Sequence, residues 1–380
     1  MDRKIVAVAA ISILVVAATC VAIIALNDDD DEDKYDASKG WYSWNPITLE
    51  TKTAYFTTTP LIVTGIEKMY NQIYGGDVDY SKYNASDIPA DFLSFTSLVK
   101  ERSEDTVTIT STVRDNSANS QKVEIDTVVP KCPDNLLTTS GYAAVLYSLL
   151  EMKYGSEAAE AKLWEYVFAL DKSSFPGKSA DFKALYGINV PSDIISVNST
   201  YNLIDNMEKY TDYVDDGTAD GRTFVMFAGV LGNDYSELKP FYNLLNSKDG
   251  RAEAVFYFAN GIPDVLAAYE AVGAIYDLDA EAQKFIQDVR LKLYAINQEA
   301  SNADNNYTVY LESNTGSACG QGTITNDAFR LLCLTNINTA DQWQKISEET
   351  IIGETPDVII FYDTNTKSWD ERMHVSTATV

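Results

Sequence analysis

The sequence predicts an α/β protein of two lobes that are joined by a long helix and preceded by an N-terminal transmembrane helix. Three observations support this prediction. An almost uninterrupted apolar segment, 5–26, opens the chain; short apolar runs alternate with amphipathic segments from residue 135 onwards; and residues 262–300 carry apolar side chains at helical spacing. Alternation of strands and helices indicates parallel sheets that are covered by helices.

The apolar segment 5–26 has the length of a membrane span. At about 1.5 Å per residue it forms a helix of about 33 Å, against a hydrocarbon core of about 30 Å. Basic residues 3 and 4 precede it and the acidic run 28–33 follows it, so the positive-inside bias places the rest of the chain outside the cytoplasm. A cleaved signal peptide and a lipoprotein signal ending at Cys20 are alternatives with the same outcome. We therefore predict a single-pass anchor at 1–26 in the cell membrane and an extracytoplasmic folded domain.

Charge and cysteine content narrow the class of protein. The chain has 380 residues and a formal net charge of −27, which argues against binding to nucleic acid or to anionic lipid. A solvated acidic exterior is the simplest interpretation of this charge. Of four cysteines, Cys20 lies in the apolar segment, and the other three are expected to be small buried side chains. A Cys319–Cys333 bridge is the alternative for a protein outside the cell.

The part of the chain that follows the anchor divides into five predicted regions. These are an acidic linker at 27–40, an N-terminal extension at 41–104, a first α/β lobe at 105–260, an interlobe helix at 261–300 and a second α/β lobe at 301–380. The extension contains an amphipathic helix from Pro60 to Ile73, and a hairpin with strands at 106–113 and 123–128 opens the first lobe. A break in the long helix is expected at 277–279. Further strands are predicted at 136–139, 194–197, 223–227, 254–258, 308–311 and 357–362, and further helices at 141–150, 156–170, 202–210, 239–245, 326–334 and 347–352.

The sequence marks out no catalytic site. His374 is the single histidine, and nothing near it suggests a nucleophile–base pair, so an exported hydrolase has no support. A metal site built from a histidine cluster is excluded by the same count. The Gly-rich segment 316–323 lacks the lysine of a phosphate-binding P-loop, and we expect it to be a ligand-facing loop at a helix start. No enzyme activity, metal or cofactor is predicted.

An ordered series of motifs occupies the second lobe. They are the strand Val309–Glu312, the loop Gly320–Thr323, the segment Thr335–Ile337, the helix start Ser347–Glu349 and the strand Pro356–Ile360. In order and spacing this series resembles the class III periplasmic-binding-protein family, the ABC transporter substrate-binding proteins that capture ferric siderophores, haem or cobalamin. The long helix with Gly273, the hairpin before Pro130 and the elements Ser196–Asn198 and Asn202–Asp205 are also similar to features of that family. The resemblance covers about 106–363 and implies two Rossmann-like lobes.

Three features depart from the family pattern. Residues 41–104 have no counterpart in it. Asp205 stands where a glutamate is usual. The chain ends at Val380, whereas the family continues past the corresponding strand for another strand or two and a helix, so we expect a trimmed second lobe or an incomplete chain.

The resemblance implies an extracytoplasmic solute-binding protein that captures a metal chelate between its lobes and delivers it to an ABC permease. Asp205 and Glu349 match the acids that dock on the permease. The ligand-facing candidates follow the predicted strands and are Ser140, Tyr142, Asn198, Tyr201, Gly229, Asn260, Glu312, Asn314, Tyr362 and Trp369. Lys131 and Arg330 are the few basic candidates for the cleft, which favours a neutral or cationic chelate such as a corrinoid.

The predicted partners are therefore the permease subunits, a small-molecule chelate and, through the N-terminal helix, the membrane. A second hypothesis comes from another class of protein: the same fold retained at the cell surface for protein interactions, without transport. A ligand-sized cleft between the lobes would favour the receptor over the interaction protein.

Overall fold

The computed structural model describes residues 8–9, 61–115, 121–138, 140–171, 188–197, 224–228, 252–257, 259, 261–303, 306–313, 317–341 and 343–362. The predicted linker at 27–40 and the predicted helices at 202–210 and 239–245 lie outside these residues. So does the predicted anchor, apart from β1 (Val8–Ala9), which pairs in parallel with residues 360 and 361. Within the described ranges, no helix is both long enough and apolar enough to span a membrane.

The first lobe is built on a parallel sheet of five strands. The strands are β5 (Asn135–Thr138), β6 (Val167–Asp171), β7 (Ile195–Val197), β8 (Phe224–Ala228) and β9 (Ala252–Phe256), in the order β7-β6-β5-β8-β9. Every pair in this sheet is parallel, as the alternating pattern predicts. The chain moves outward from β5 to β7 and returns to β8 on the other side, which creates a switch point between β5 and β8. Doubly wound sheets bind ligands at the carboxyl ends of the strands at such a point.

One helix of this lobe is shorter than the sequence predicts. Helices α2 (Ser140–Tyr154) and α3 (Ser156–Tyr166) follow β5, and the predicted helix 156–170 therefore ends at Tyr166. Residues 167–171 form β6 instead, and Ala169 and Leu170 are fully buried beside β5 and β7. A short apolar run has no periodicity that separates a buried strand from the end of a helix, which explains the error.

The second sheet is centred on β10 (Thr308–Ser313). It pairs in parallel with β14 (Val358–Tyr362) and β12 (Thr335–Asn336) and antiparallel with β11 (Ala318–Cys319), which in turn pairs with β13 (Trp343–Gln344). Helix α6 (Ile324–Leu331) connects β11 to β12, and α7 (Glu348–Glu354) precedes β14. Asp357 accepts hydrogen bonds from the backbone N and the Oγ1 of Thr308, both at 2.9 Å. The acid in the Pro356–Ile360 motif therefore secures the start of β14 to the start of β10.

Part of the N-terminal extension belongs to the fold of the first lobe. Strand β2 (Val99–Arg102) pairs with β3 (Thr106–Asp115), and β3 pairs with β4 (Gln121–Pro130) along the whole predicted hairpin. Thr127 on β4 donates a hydrogen bond to the carbonyl oxygen of Ala254 on β9, which joins this small sheet to the parallel one. The predicted boundary at 104/105 is therefore corrected, because it separates two paired strands.

The long helical region consists of two helices, as the expected break allows. Helix α4 (Ile262–Ile275) ends before the turn 276–278, and α5 (Asp279–Asn302) begins after it. Asp277 has a φ of 50°, and the backbone N of Leu278 donates to Gly273 O at 2.8 Å. Helix α5 packs against α4 and α2, against α6, and against α1 (Leu61–Tyr74), the helix predicted from Pro60. It therefore contacts elements of both lobes and of the extension.

The three described cysteines are free, so the alternative of a Cys319–Cys333 bridge is not supported. Cys319 is buried, with its Sγ 3.0 Å from Thr323 Oγ1, whereas Cys132 and Cys333 are only partly buried.

Candidate ligand-binding site

The start of α4 contacts the first turn of α6. Helix α4 follows β9, and α6 lies between β11 and β12 in the chain. The backbone N of Ile262, in the first turn of α4, donates to Oδ2 of Asp327 in the first turn of α6 at 2.9 Å. A Cβ atom on Gly261 would lie 2.6 Å from that oxygen, so a residue without a side chain permits this approach. We call Tyr257, Gly261, Asp264 and Asp327 the lobe junction.

A second acid completes the cap of α4. Oδ2 of Asp264 accepts a hydrogen bond from the backbone N of Gly261 at 3.1 Å. Asp264 also forms a side-chain hydrogen bond with Tyr257, and burial together with that acid raises the pKa of the Tyr257 phenol. Backbone N–H groups at a helix start have no partner within the helix, and these carboxylates supply one. The junction is thus held by polar contacts within and between the lobes.

Tyr142 lies beneath this junction and not on its surface. Its side chain is 1% exposed, and its hydroxyl donates to the carbonyl oxygen of Tyr257 at 2.5 Å. A side chain packed into the core in this way has no face available for a ligand, so Tyr142 is removed from the predicted ligand-facing set. It orients the end of β9 instead.

The carboxylate of Asp327 is destabilised by its partial burial at the junction. Burial raises the pKa of its carboxyl group, although the hydrogen bond from Ile262 and the charge of Arg330 act in the opposite direction. Arg330 Nη1 is 3.9 Å from Asp327 Oδ1, and the Arg330 side chain is 76% exposed. A cation in water at that distance stabilises the buried carboxylate only weakly.

Replacing Asp327 tests its role as a cap. In Asp327→Ala the Ile262 N–H loses its partner, and we expect the free energy of unfolding to fall by about 1–3 kcal/mol. Asp327→Asn keeps an acceptor and removes the buried charge, so its loss should be smaller. Because the folded-state pKa lies above the ordinary 3.8, wild-type stability relative to Asp327→Asn should decrease as pH rises from 3.8 through the raised value. Urea unfolding of the three proteins across this pH range measures both effects. If the difference in free energy of unfolding between the wild type and Asp327→Asn did not change with pH, the predicted pH dependence would be wrong.

The second lobe contributes its own strand ends. Glu312 pairs with residue 361, and Ser313 with Tyr362, where β10 and β14 end side by side. Because β12 and β14 lie on opposite sides of β10, this point is the switch point of the second sheet. Glu312 is partly buried and its Oε2 accepts a hydrogen bond from the hydroxyl of Tyr310 at 2.8 Å. Glu312 and the backbone of Tyr362 thus lie at the adjacent ends of β10 and β14, and Asn314 directly follows β10 in the sequence.

In the first lobe, Ser140 is the first residue of α2, directly beyond β5 and thus at its switch point. Several other predicted ligand-facing or docking residues lie outside the described residues: Asn198, Tyr201, Asp205, Gly229, Asn260, Asn314 and Trp369. Asn198 and Gly229 directly follow β7 and β8 in the sequence.

Part of the Gly-rich segment is buried. Its residues Ala318, Cys319 and Thr323 are buried, whereas Gly322, close to the start of α6, is exposed. Nδ2 of Asn336 donates to Cys319 O at 2.9 Å and to Asn326 Oδ1 at 3.0 Å, and Nδ2 of Asn338 donates to Ala318 O at 3.1 Å. Thr323 caps α6 through its Oγ1, which accepts from the backbone N of Asn326 at 3.1 Å. Buried side-chain amides thus satisfy the backbone of this segment, which explains its burial.

Glu349, the described residue of the predicted docking pair, is exposed near the start of α7. Hydrogen bonds from its own backbone N–H and from Ser347 lower the pKa of its carboxyl group. The side chain is therefore ionised and accessible at neutral pH.

None of the four residues of the lobe junction is in the predicted set: Tyr257, Gly261, Asp264 and Asp327. Asp264 stands three residues after Gly261, a spacing typical of a helix cap, so the sequence contained a local indication of it. Asp327 contacts a residue 65 positions away in the chain, and no local pattern predicts that contact.

Comparison with known proteins gives one family match. A family model described as periplasmic binding protein matches residues 254–376, which confirms the resemblance predicted from the motif order over that part of the chain. No curated protein matches.

Several solved structures are distantly similar. The petrobactin-binding protein of Bacillus subtilis is 14% identical, with a TM-score of 0.46 over 70% of this chain and 84% of its own. The periplasmic vitamin B12-binding protein of Vibrio cholerae is 15% identical, with a TM-score of 0.42 over 66% and 86%. For a periplasmic haem-binding protein of Pseudomonas aeruginosa the values are 14%, 0.43, 63% and 76%.

Proposed function

We propose that this chain is the extracytoplasmic solute-binding protein of an ABC importer and that it captures a metal chelate between its two lobes. The observation that carries the proposal is the family match over 254–376, which spans the end of β9, both long helices and strands β10–β14 of the second sheet. The role proposed is binding and delivery, without a chemical reaction on the ligand.

The geometry of the strand ends supports a ligand site at the lobe junction. Both sheets have a switch point, and the Ile262–Asp327 hydrogen bond joins the start of α4, which follows β9, to α6 of the second lobe. Ser140 and Gly229 follow the two strands at the first switch point, and Glu312, Asn314 and Tyr362 stand at the second. Polar groups that converge from two lobes are typical of small-molecule sites. We assign Asn198, Tyr201, Asn260 and Trp369 to the same cleft by their positions in the sequence.

Acidic groups favour a neutral or cationic chelate. Glu312 stands at the carboxyl end of β10, Asp264 and Asp327 stand in the first turns of α4 and α6, and Arg330 projects into solvent beside Asp327. An anionic chelate would meet these carboxylates at close range and be repelled. A corrinoid is therefore preferred over an anionic ferric siderophore.

Delivery would use one acid of each lobe, and the anchor would hold the receptor at the membrane. We propose that Asp205 and Glu349 dock on basic residues of the permease, where surface charges set orientation and association rate more than affinity. Residues 1–26 would be the anchor and 27–40 the spacer that separates it from the lobes.

The experiment is a thermal-unfolding assay of the full chain in detergent against corrinoids, haem and ferric siderophores. A ligand at one hundred times its Kd adds about 2.7 kcal/mol to the free energy of unfolding. We expect a corrinoid to raise the Tm by about 5 °C or more. The double variant Glu312→Gln, Asn314→Ala should lose most of that shift, whereas the exposed control Gln344→Ala should keep it.

Other outcomes of the same assay have defined meanings. A shift with an anionic siderophore alone would retain the receptor and overturn the preference for a cationic or neutral chelate. No shift with any compound, from a chain that unfolds cooperatively, would overturn the receptor and favour the surface interaction protein.

A further inference from the structure

The described part of the N-terminal extension lies along α5. We call residues 61–102, which comprise α1, the following turns and β2, the strap. Besides the packing of α1, the strap bonds to α5 at three places: Lys82 and Tyr83 contact Glu299, residues 89–92 contact Arg290, and Arg102 pairs with Asp279. From 82 to 102 its partners proceed backwards from 299 to 279, so this part of the strap runs antiparallel to the helix.

The side chain of Arg290 binds backbone carbonyl groups in the middle of the strap. Nε donates to Phe92 O at 3.0 Å, and Nη2 donates to Pro89 O at 3.3 Å and to Ala90 O at 3.2 Å. The planar guanidinium can donate to several acceptors at once, which a lysine ammonium cannot do in the same geometry. One side chain of α5 therefore orders a turn of the strap.

Glu299 holds the strap near the end of α5. Its Oε1 accepts from Lys82 Nζ at 2.9 Å and from Tyr83 Oη at 3.0 Å. The hydrogen bond from Lys82, followed by that from Tyr83, lowers the pKa of this carboxyl group. The ring of Tyr83 also meets Tyr294 edge-on, as does the ring of Phe92, with centroids 6.0 Å and 5.4 Å away. The strap is thus attached by rings as well as by charges.

The two ends of the strap are attached to different lobes. At one end, β2 is a strand of the sheet with β3 and β4, and Thr110 N donates to Leu98 O at 2.8 Å. At the other end, the hydroxyl of Tyr74 donates to the carbonyl oxygen of Leu332, which follows α6 in the second lobe. The Tyr74 ring lies 6.1 Å from that of Tyr307, just before β10. The same segment is therefore bonded to the first lobe, to α5 and to the second lobe.

We infer that the strap is a second connection between the lobes, which lies alongside α5, and that it restrains the opening of the ligand cleft. Rotation of the second lobe away from the first would separate Tyr74 from Leu332 or pull residues 89–92 from Arg290. Hinge opening in two-lobed proteins is absorbed by a few residues, and the strap bridges that hinge from outside. The inference holds whatever ligand the cleft accepts.

The test is single-molecule fluorescence transfer between the lobes of the full chain without ligand. Fluorophores are attached to unnatural amino acids at the exposed positions Glu157 and Lys345, so that Cys132 and Cys333 remain unlabelled. The double variant Tyr74→Phe, Arg290→Gln removes the hydroxyl and the guanidinium and keeps the rings. We expect its ratio of open to closed molecules to rise about tenfold, since a hydrogen bond to a charged group has an effect of that order.

A matched control distinguishes loss of the strap's restraint on lobe opening from a general loss of stability. Thr308→Val removes a hydrogen-bonded hydroxyl inside the second lobe, where Thr308 Oγ1 contacts Asp357 at 2.9 Å, and does not touch the strap. Its open fraction should equal that of the wild type. The inference is overturned if the double variant also keeps the wild-type distribution, or if Thr308→Val opens the lobes equally.

Discussion

Replacing Asn336 by alanine is expected to lower the free energy of unfolding by about 3–4 kcal/mol. Asn336 is 9% exposed, and its amide joins three buried groups: it donates to Cys319 O and Asn326 Oδ1, and its Oδ1 accepts from Asn338 N at 3.1 Å. Alanine leaves all three without this partner in a site that water does not reach. Each unsatisfied buried polar group costs about 1–3 kcal/mol, and the total exceeds that of a typical substitution.

Urea unfolding followed by circular dichroism measures this loss. The control is Gln344→Ala, because Gln344 donates one bond to Asp341 O at 2.9 Å from an exposed position. That change should alter the free energy of unfolding by about 0.5 kcal/mol or less. Equal effects of the two substitutions would mean that the asparagine network does not hold the segment 316–323.

The second large effect is expected at the turn between α4 and α5. A Cβ atom on Gly273 would lie 2.6 Å from Ala282 Cβ and 3.1 Å from Leu278 O. Gly273→Ala must therefore push the two helices apart, and overpacking of this kind costs about 1–3 kcal/mol. Alanine has a higher helix propensity than glycine by about 1 kcal/mol. A net loss of stability in Gly273→Ala would therefore show that the steric cost of the close contact exceeds the gain in helix propensity.

The matched control is Gly353→Ala in α7, where nothing lies within 4 Å of the added Cβ. Propensity alone acts there, and we expect a small gain in stability of up to about 1 kcal/mol. Thermal unfolding of both variants measures the two changes in stability. If Gly273→Ala stabilised the chain as Gly353→Ala does, the helices would not approach as closely as the structure describes.

Local patterns predicted most of the described elements. The hairpin, α1, α5 and the strands at 308–313 and 358–362 agree with their predicted positions to within about three residues. Each has a periodicity of its own or a turn that ends it, such as Gly75 with a φ of 74° after α1. The parallel pairing within the first sheet and of β10 with β12 and β14 follows from the same alternation. The error at 167–170 arose where an apolar run was too short to have a period.

The candidate site was predicted in part. Residues that follow strands could be placed at the carboxyl edges, because that edge is where the chain leaves a parallel sheet. Glu312 and Tyr362 lie at the ends of β10 and β14. Tyr142 and part of the Gly-rich segment are buried. A sequence position shows which strand a residue follows but not whether its side chain points into the core.

By itself, the sequence determined the alternation that produces the parallel strand pairs of both sheets, the break between α4 and α5, and the motif order that the family model matches at 254–376. Tertiary structure alone decided which distant groups meet: Asp327 with the start of α4, Asn336 with Cys319, and the strap with both lobes. The physical reason is that hydrophobic periodicity specifies which face of an element is buried, whereas a polar contact across many residues depends on where the packed elements bring two ends of the chain.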